Sequence, residues 1–160
     1  MGVAAALVLL AACGSGDGAS TGEPVDLVPT TVPIGEVLAG APDRVRVALG
    51  DEDCLDVLVA DTQAERERGL MDRDDLGAAD GMLFVWDSDV ETAFYMVQTR
   101  LALDIGWFSA AGEIVDRTTM VPCPAELPQD CPLYESSSRY RYALELPAGG
   151  LTTGALTGCS

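Results

Sequence analysis

The chain reads as a mostly antiparallel β sandwich or barrel with one short helix near residues 62–69. Three observations carry that reading. Short runs of β-branched, aromatic and alternating residues recur from Arg44 onward. Turn-forming Gly, Pro, Asp and Ser separate them. Only one stretch carries both helix-start and helix-stop residues. Many short strands with one short helix fit a sandwich or a barrel and not an alternating α/β fold.

Each element follows from local chemistry. Val45-Arg46-Val47-Ala48-Leu49 alternates, Gly50-Asp51-Glu52-Asp53 turns, and Cys54 to Ala60 answers as a second strand. Thr62 caps the helix, and Glu65 three residues on completes a capping box. Gly69 stops it, as glycine does at left-handed helix ends. Apolar strands are expected at Met82–Trp86 and Ala93–Val97. Leu103–Phe108 and Ile114–Thr118 form a hairpin across Ala110-Ala111-Gly112. In the last strand, Arg139–Leu146, Tyr140, Tyr142, Leu144 and Leu146 are expected on one face, with Arg139, Arg141 and Glu145 on the other. The sequence has no internal repeats.

The N-terminal segment carries an address. Val3 to Ala12 is an apolar run too short for a bilayer, which needs roughly 20 residues. It fits the ~7–15-residue core of a secretory signal. No Lys or Arg precedes it, although such leaders usually begin with positive charge. Leu10-Ala11-Ala12-Cys13 ends the run in the lipobox pattern of bacterial lipoprotein precursors. The expected organisation is a signal peptide at 1–12, a lipidated Cys13 with a flexible Gly-, Ser- and Pro-rich tether at 13–42, and one β-domain at 43–160. Within the tether, Val32 to Leu38 has the pattern of a short strand. The expected location is the extracytoplasmic face of a membrane, held by lipid on Cys13. Each buried acyl methylene contributes ~0.8 kcal/mol to such anchoring.

Composition narrows the chemistry. A formal charge of −17 excludes nucleic acid as a partner, because phosphate binding needs clusters of Lys and Arg. The chain has no His, Lys or Asn, so arginine supplies all nine positive charges. Nucleophile–histidine pairs and lysine Schiff bases are thereby excluded. Apart from Cys13, four cysteines remain, and an even number in an exported protein reads as two disulfides. The favoured pairing staples the loop PCPAELPQDCP through Cys123–Cys131 and ties an early strand to the C-terminus through Cys54–Cys159. A tetrathiolate zinc site is the alternative use of the four thiols.

The motifs ADTQAERERGLMDR, DGMLFVW, FYMVQTRLALDIGWF, GEIV and YALELPAGG occur in an order that resembles the bacterial and archaeal domain-of-unknown-function family number 192. The resemblance spans about residues 45 to 158 and implies a compact, mainly β, jelly-roll-like domain, often exported. It implies no activity. The chain departs from the pattern at Val97-Gln98, where the family usually has Lys-Asn, and at Ala102, where it usually has Pro. Gly158-Cys159 stands where Gly-Asp is common, and the Cys123–Cys131 loop looks like an insertion.

Two residue sets could carry function. Arg73, Thr99, Asp104 and Glu145 are polar positions inside apolar motifs. They suggest a polar ligand cleft, with Arg73 as a bidentate mate for Asp104. Read as a catalytic pair, Asp104 and Glu145 would make a glycan hydrolase; read as structure, the four form a buried network. Met71, Met82, Met96 and Met120 could supply soft thioether ligands for Cu(I), although methionine also fills irregular cores. Trp86, Trp107, Tyr95 and Tyr134 could form a sugar-stacking platform or simply pack. Asp87 to Glu91 lacks the glycine and distal glutamate of a calcium loop and is expected to be a solvated turn. The resulting expectation is a non-enzymatic binding or accessory domain without a cofactor, engaging a small molecule or a protein.

Overall fold

The computed structural model describes residues 30–160, so the leader, Cys13 and the first part of the tether lie outside the described residues. Eight strands form one curled, half-barrel sheet. In chain order these are β1 (Thr31–Pro33), β2 (Arg44–Leu49), β3 (Leu55–Ala60), β4 (Gly81–Val90), β5 (Leu103–Phe108), β6 (Ile114–Met120), β7 (Tyr140–Pro147) and β8 (Leu156–Cys159). Two short helices accompany them, α1 (Ile34–Val37) and α2 (Gln63–Arg68). The spatial order is β1-β8-β2-β3-β4-β7-β5-β6. No helix among the described residues is long and apolar enough to cross a membrane.

Every strand pairing is antiparallel except β3 with β4. The exception has a cause in the connection. Between β3 and β4 the chain passes through α2 and a long turn, and a crossover of that kind returns the next strand in the same direction.

The central strands are covered on both faces. All six residues of β5 are buried, which explains why LDIGWF reads as a continuous run rather than an alternation. One face carries a core of Met82, Phe84, Ile105, Trp107 and Ala143, with Met96, Met120 and Tyr140 packed among them. The other carries Val47, Val57, Leu83, Phe108, Tyr142, Leu144 and Leu146. Tyr140 therefore departs from its expected place beside Tyr142. The register of β4 against β7 shifts between Val85 and Val90, and Tyr140 lies beyond that break.

Several boundaries differ from expectation. Residues 31–37, expected in the tether, are folded: β1 pairs with β8, and Ile34 is buried in the second core. Asp87 to Val90 does not turn but continues β4, where Asp89 pairs with Arg141 at 2.9 Å. Ala93–Val97 is not a strand. It is a loop fixed by isolated bridges, Phe94 to Tyr134 and Val97 to Cys123, and its apolar residues face the first core.

Two disulfides close the domain. Cys54 is bonded to Cys159 and Cys123 to Cys131. The first links the start of β3 to the end of β8. The second closes the Pro-rich loop whose short 3-10 turn spans Pro128–Asp130.

Candidate functional site

A cavity of about 420 Å³ opens on the first-core face of the sheet, between α2 and the 92–99 loop. Phe84, Trp86 and Glu145 form its sheet side, and Met71, Phe94, Tyr95 and Thr99 contribute from the flanking segments. That volume falls within the usual range for small-molecule sites, about 300–1,000 Å³.

The α2 wall is set by local signals. Thr62 Oγ1 accepts the Glu65 amide, and Glu65 Oε2 accepts the Thr62 amide at 3.0 Å, so both ends of the capping box are closed. The Thr62 hydroxyl, donating to the Glu65 carboxylate, holds that group below the ordinary glutamate value. Arg66 then turns back onto the sheet. Its Nη1 donates to the carbonyls of Asp61 and Val85, and its guanidinium lies 5.3 Å from the Trp86 ring centroid. Gly69 ends the helix at φ +47° and sends Leu70 into the core.

The opposite wall is held by main-chain bonds. Tyr140 donates its hydroxyl to the Thr92 carbonyl at 2.7 Å, and burial pushes its pKa up to about 12. Phe94 and Tyr134 exchange backbone hydrogen bonds at 2.9 Å, and the Cys123 amide donates to Met96 at 3.2 Å. A bond from the Asp72 amide to the Gln98 carbonyl joins the two walls. Both residues sit at positive φ, +59° and +51°. Phe84, Trp86 and Phe94 contact one another, with a T-shaped Phe84–Phe94 pair at 5.1 Å.

Glu145 is the outlier of the site. It is 5 % exposed and flanked in register by Met82 on β4 and Ile105 on β5. Burial pushes its pKa up to about 8. No side chain or amide among the described residues hydrogen-bonds its carboxyl.

The four expected cleft residues do not assemble. Thr99 and Glu145 share the cavity, and the Thr99 hydroxyl donates to the Val97 carbonyl at 3.3 Å. Asp104 lies on the other face, opposite Leu146. Its Oδ1 accepts from Thr119 Oγ1 at 2.7 Å and its Oδ2 from the Gly149 amide at 2.7 Å and the Leu151 amide at 3.4 Å. Burial favours protonation of Asp104, but these hydrogen bonds and the nearby Arg117 outweigh it and hold the carboxyl below its ordinary value. Arg73 is exposed and pairs with no acid among the described residues, so it is not the mate of Asp104. Two carboxyls on opposite faces of a sheet cannot flank one glycosidic bond.

The methionines are distributed by packing. Met82, Met96 and Met120 are buried in the first core, and Met71 packs against it at the cavity wall. Trp107 is fully buried and offers no stacking face, while the Tyr134 hydroxyl accepts the Val121 amide. Trp86 and Tyr95 alone of that aromatic set line the cavity. Sequence reasoning did not reach Arg66, Phe84 or Phe94. The period-2 spacing of Met82, Phe84 and Trp86 was the available signal for Phe84, whereas nothing local marks Arg66 or Phe94.

Fold and cavity together define a half-barrel β-domain with an aromatic-lined cavity on one face of its sheet. The chain belongs to the DUF192 family, described as an uncharacterized group, whose profile matches residues 45–157. No curated protein matches it. Among solved structures, a candidate transcription regulator from Sinorhizobium meliloti 1021 is similar at 30 % identity and a TM-score of 0.58, over 72 % of this chain and 92 % of that one. A protein of unknown function from Novosphingobium aromaticivorans shares the fold at 22 % identity and a TM-score of 0.57, over 80 % of this chain and 91 % of that one.

Proposed function

We propose that this protein is a non-enzymatic small-ligand-binding domain, held by lipid on Cys13 at the extracytoplasmic face of a membrane. The observation that carries the ligand reading is Glu145, a buried carboxyl with no hydrogen-bond partner among the described residues, in an aromatic-lined cavity. A ligand donor that reaches Glu145 through the cavity exchanges a solvent contact for a hydrogen bond in a largely desolvated site, where such bonds are stronger than in water. The lipobox ending Leu10-Ala11-Ala12-Cys13 supports the anchor, and the two disulfides suit an oxidising compartment. The Sinorhizobium protein is named a transcription regulator; a role of that kind exercised through direct contact with nucleic acid would sit poorly with a net charge of −17 here.

A native mass spectrum of the mature protein, purified from an oxidising bacterial envelope, tests the ligand reading. The expected result is a small-molecule adduct that is lost from Ala93→Trp, a substitution filling the cavity wall. An adduct-free spectrum, with no thermal shift from any member of a metabolite panel, refutes it.

A further inference from the structure

The chemistry of the cavity restricts what it can hold. Arg66 and Arg68 stand on its α2 side, but neither serves as an anion receptor. The Arg66 guanidinium is turned onto the carbonyls of Asp61 and Val85 and onto the Trp86 ring. Arg68 is exposed, with its charge in water. The sheet side instead presents the buried Glu145 carboxyl, and the same cavity is lined by the Thr99 hydroxyl, which spends its proton on Val97 and keeps its oxygen free to accept. Gln63, Glu67 and Thr92 add polar groups to the lining, Glu67 a second carboxyl, and aromatic and apolar side chains complete it: Phe84, Trp86, Phe94, Tyr95, Leu70 and Met71. Buried acceptors and π-systems lining one cavity suit a positive charge on an apolar body. Arg66 already shows the fit at the rim, where a cation of this chain rests against Trp86.

We propose that the cavity binds a small organic cation, a primary or secondary ammonium on an apolar body, with its N–H groups on Glu145 and Thr99 and its body against the aromatic rings. This assignment rests on the ligand-binding reading above and names its ligand class. The acidic surface, at a net charge of −17, also raises the local concentration of cations over that of anions.

Binding of such a ligand is linked to a proton. The charged and titratable groups facing the cavity are Arg66, Glu67 and Arg68 from α2, Tyr95 from the 92–99 loop and Glu145 from β7. From β4 and β5 the residues beside Glu145 are Met82 and Ile105, which do not titrate. Glu145 thus enters binding as a neutral acid near pH 7, because burial has pushed it up to about 8. Ionising it at pH 7 costs a factor of about ten in affinity, one unit of pKa. A desolvated ammonium–carboxylate contact can repay that factor.

The test is calorimetric titration of the mature disulfide-bonded protein with three probes of one shape: phenethylammonium, phenethyl alcohol and 3-phenylpropanoate. The expected result is that phenethylammonium binds at least about ten-fold tighter than the alcohol at pH 8, with no measurable binding of the propanoate. Its affinity should rise about ten-fold from pH 6 to pH 7 and level off above pH 8. Buffers of different ionisation enthalpy should report nearly one proton released per ligand at pH 6. Glu145→Gln, which keeps the shape of the neutral acid, should abolish both the cation preference and the proton release. Equal or tighter binding of the alcohol or the propanoate overturns the cation assignment while leaving a ligand-binding cavity. Failure of all three probes to bind at millimolar concentration also overturns it, and the native mass spectrum then decides separately whether the cavity has a ligand at all.

Discussion

Asp104 and Glu145 stand in adjacent strands, nearly side by side in register, yet their carboxyls lie on opposite faces of the sheet. Ile105, not Asp104, is the residue opposite Glu145. One carboxyl accepts three donors and the other accepts none among the described residues. The same side chain type therefore does opposite things in this domain: Asp104 fastens a turn, and Glu145 waits for a partner.

The Asp104 clamp predicts a stability effect without a binding effect. Asp104→Ala removes the acceptor of the Thr119 hydroxyl and of the Gly149 and Leu151 amides and should cost about 1–3 kcal/mol in urea unfolding. Phenethylammonium affinity should be unchanged, since the clamp is on the far face. A held-down carboxyl contributes stability above its unfolded value and loses it as pH falls through its folded value. The wild type should thus lose stability more steeply below about pH 4 than Asp104→Ala does, the range of an unfolded aspartate.

Glu145 has the opposite sign. In the folded protein it keeps its proton up to about pH 8, whereas in the unfolded chain it releases it near its model value of 4.5. Between those values the native state binds more protons, so stability falls as pH rises through that window. At ~1.4 kcal/mol per unit, the loss amounts to several kcal/mol. Thermal melts of the ligand-free protein should show a midpoint that declines from pH 5 to pH 8, and Glu145→Gln should flatten that part of the curve. A flat wild-type curve would mean that water reaches the carboxyl freely.

The two disulfides should be separable by their effects. Cys54–Cys159 closes a loop with a sequence separation of 105 and constrains the unfolded chain by about 4–5 kcal/mol. Cys123–Cys131, with a separation of 8, contributes about 2–3 kcal/mol. Replacing the second pair by serine should also loosen the cavity wall, because the Cys123 amide holds the Met96 carbonyl. The readout is tryptophan fluorescence, from Trp86 and Trp107 in the first core, which should change in the Cys123/Cys131 double variant and not in the Cys54/Cys159 one.

The anchor predicts a partition. The wild-type chain should fractionate with membranes and carry an acyl mass on Cys13, and Cys13→Ser should appear in the soluble extracytoplasmic fraction. Retention of Cys13→Ser in the membrane would assign the attachment to another feature.

Elements governed by neighbours in sequence were legible. The capping box of Thr62 and Glu65, the Gly69 stop and the Ala110–Gly112 hairpin all depend on residues within a few positions. The family resemblance was likewise carried by contiguous motifs. What escaped depends on distant partners. β8 is four residues, LTGC, and has no strand signal until β1 and β2 flank it. Ala93–Val97 has strand composition, but its bonding goes to Tyr134 and Cys123, some 40 and 26 positions away by difference of their numbers. The site was half legible for the same reason. Thr99 and Glu145 stood out as polar residues in apolar motifs, while the face each occupies is set by register between strands. Arg66 looked like one more charge on an exposed helix until Val85 and Trp86 came to meet it.

The pairing of β1 with β8 has a topological consequence. The Ser160 amide donates to the Thr30 carbonyl at 3.1 Å, so the two ends of the described domain touch. Covalently the chain is open; spatially it is nearly a ring. Joining residue 160 to residue 30 through a short glycine linker and opening the ring at the exposed Ala110–Ala111 tip should yield a circular permutant with the cavity intact. Under the proposed lipid attachment at Cys13, the tether would join the described domain at the β1–β8 edge, and the strands that carry the cavity, β4 and β7, stand three positions or more inward from it. In that arrangement the edge that bears the attachment would not be the part of the sheet that carries the site.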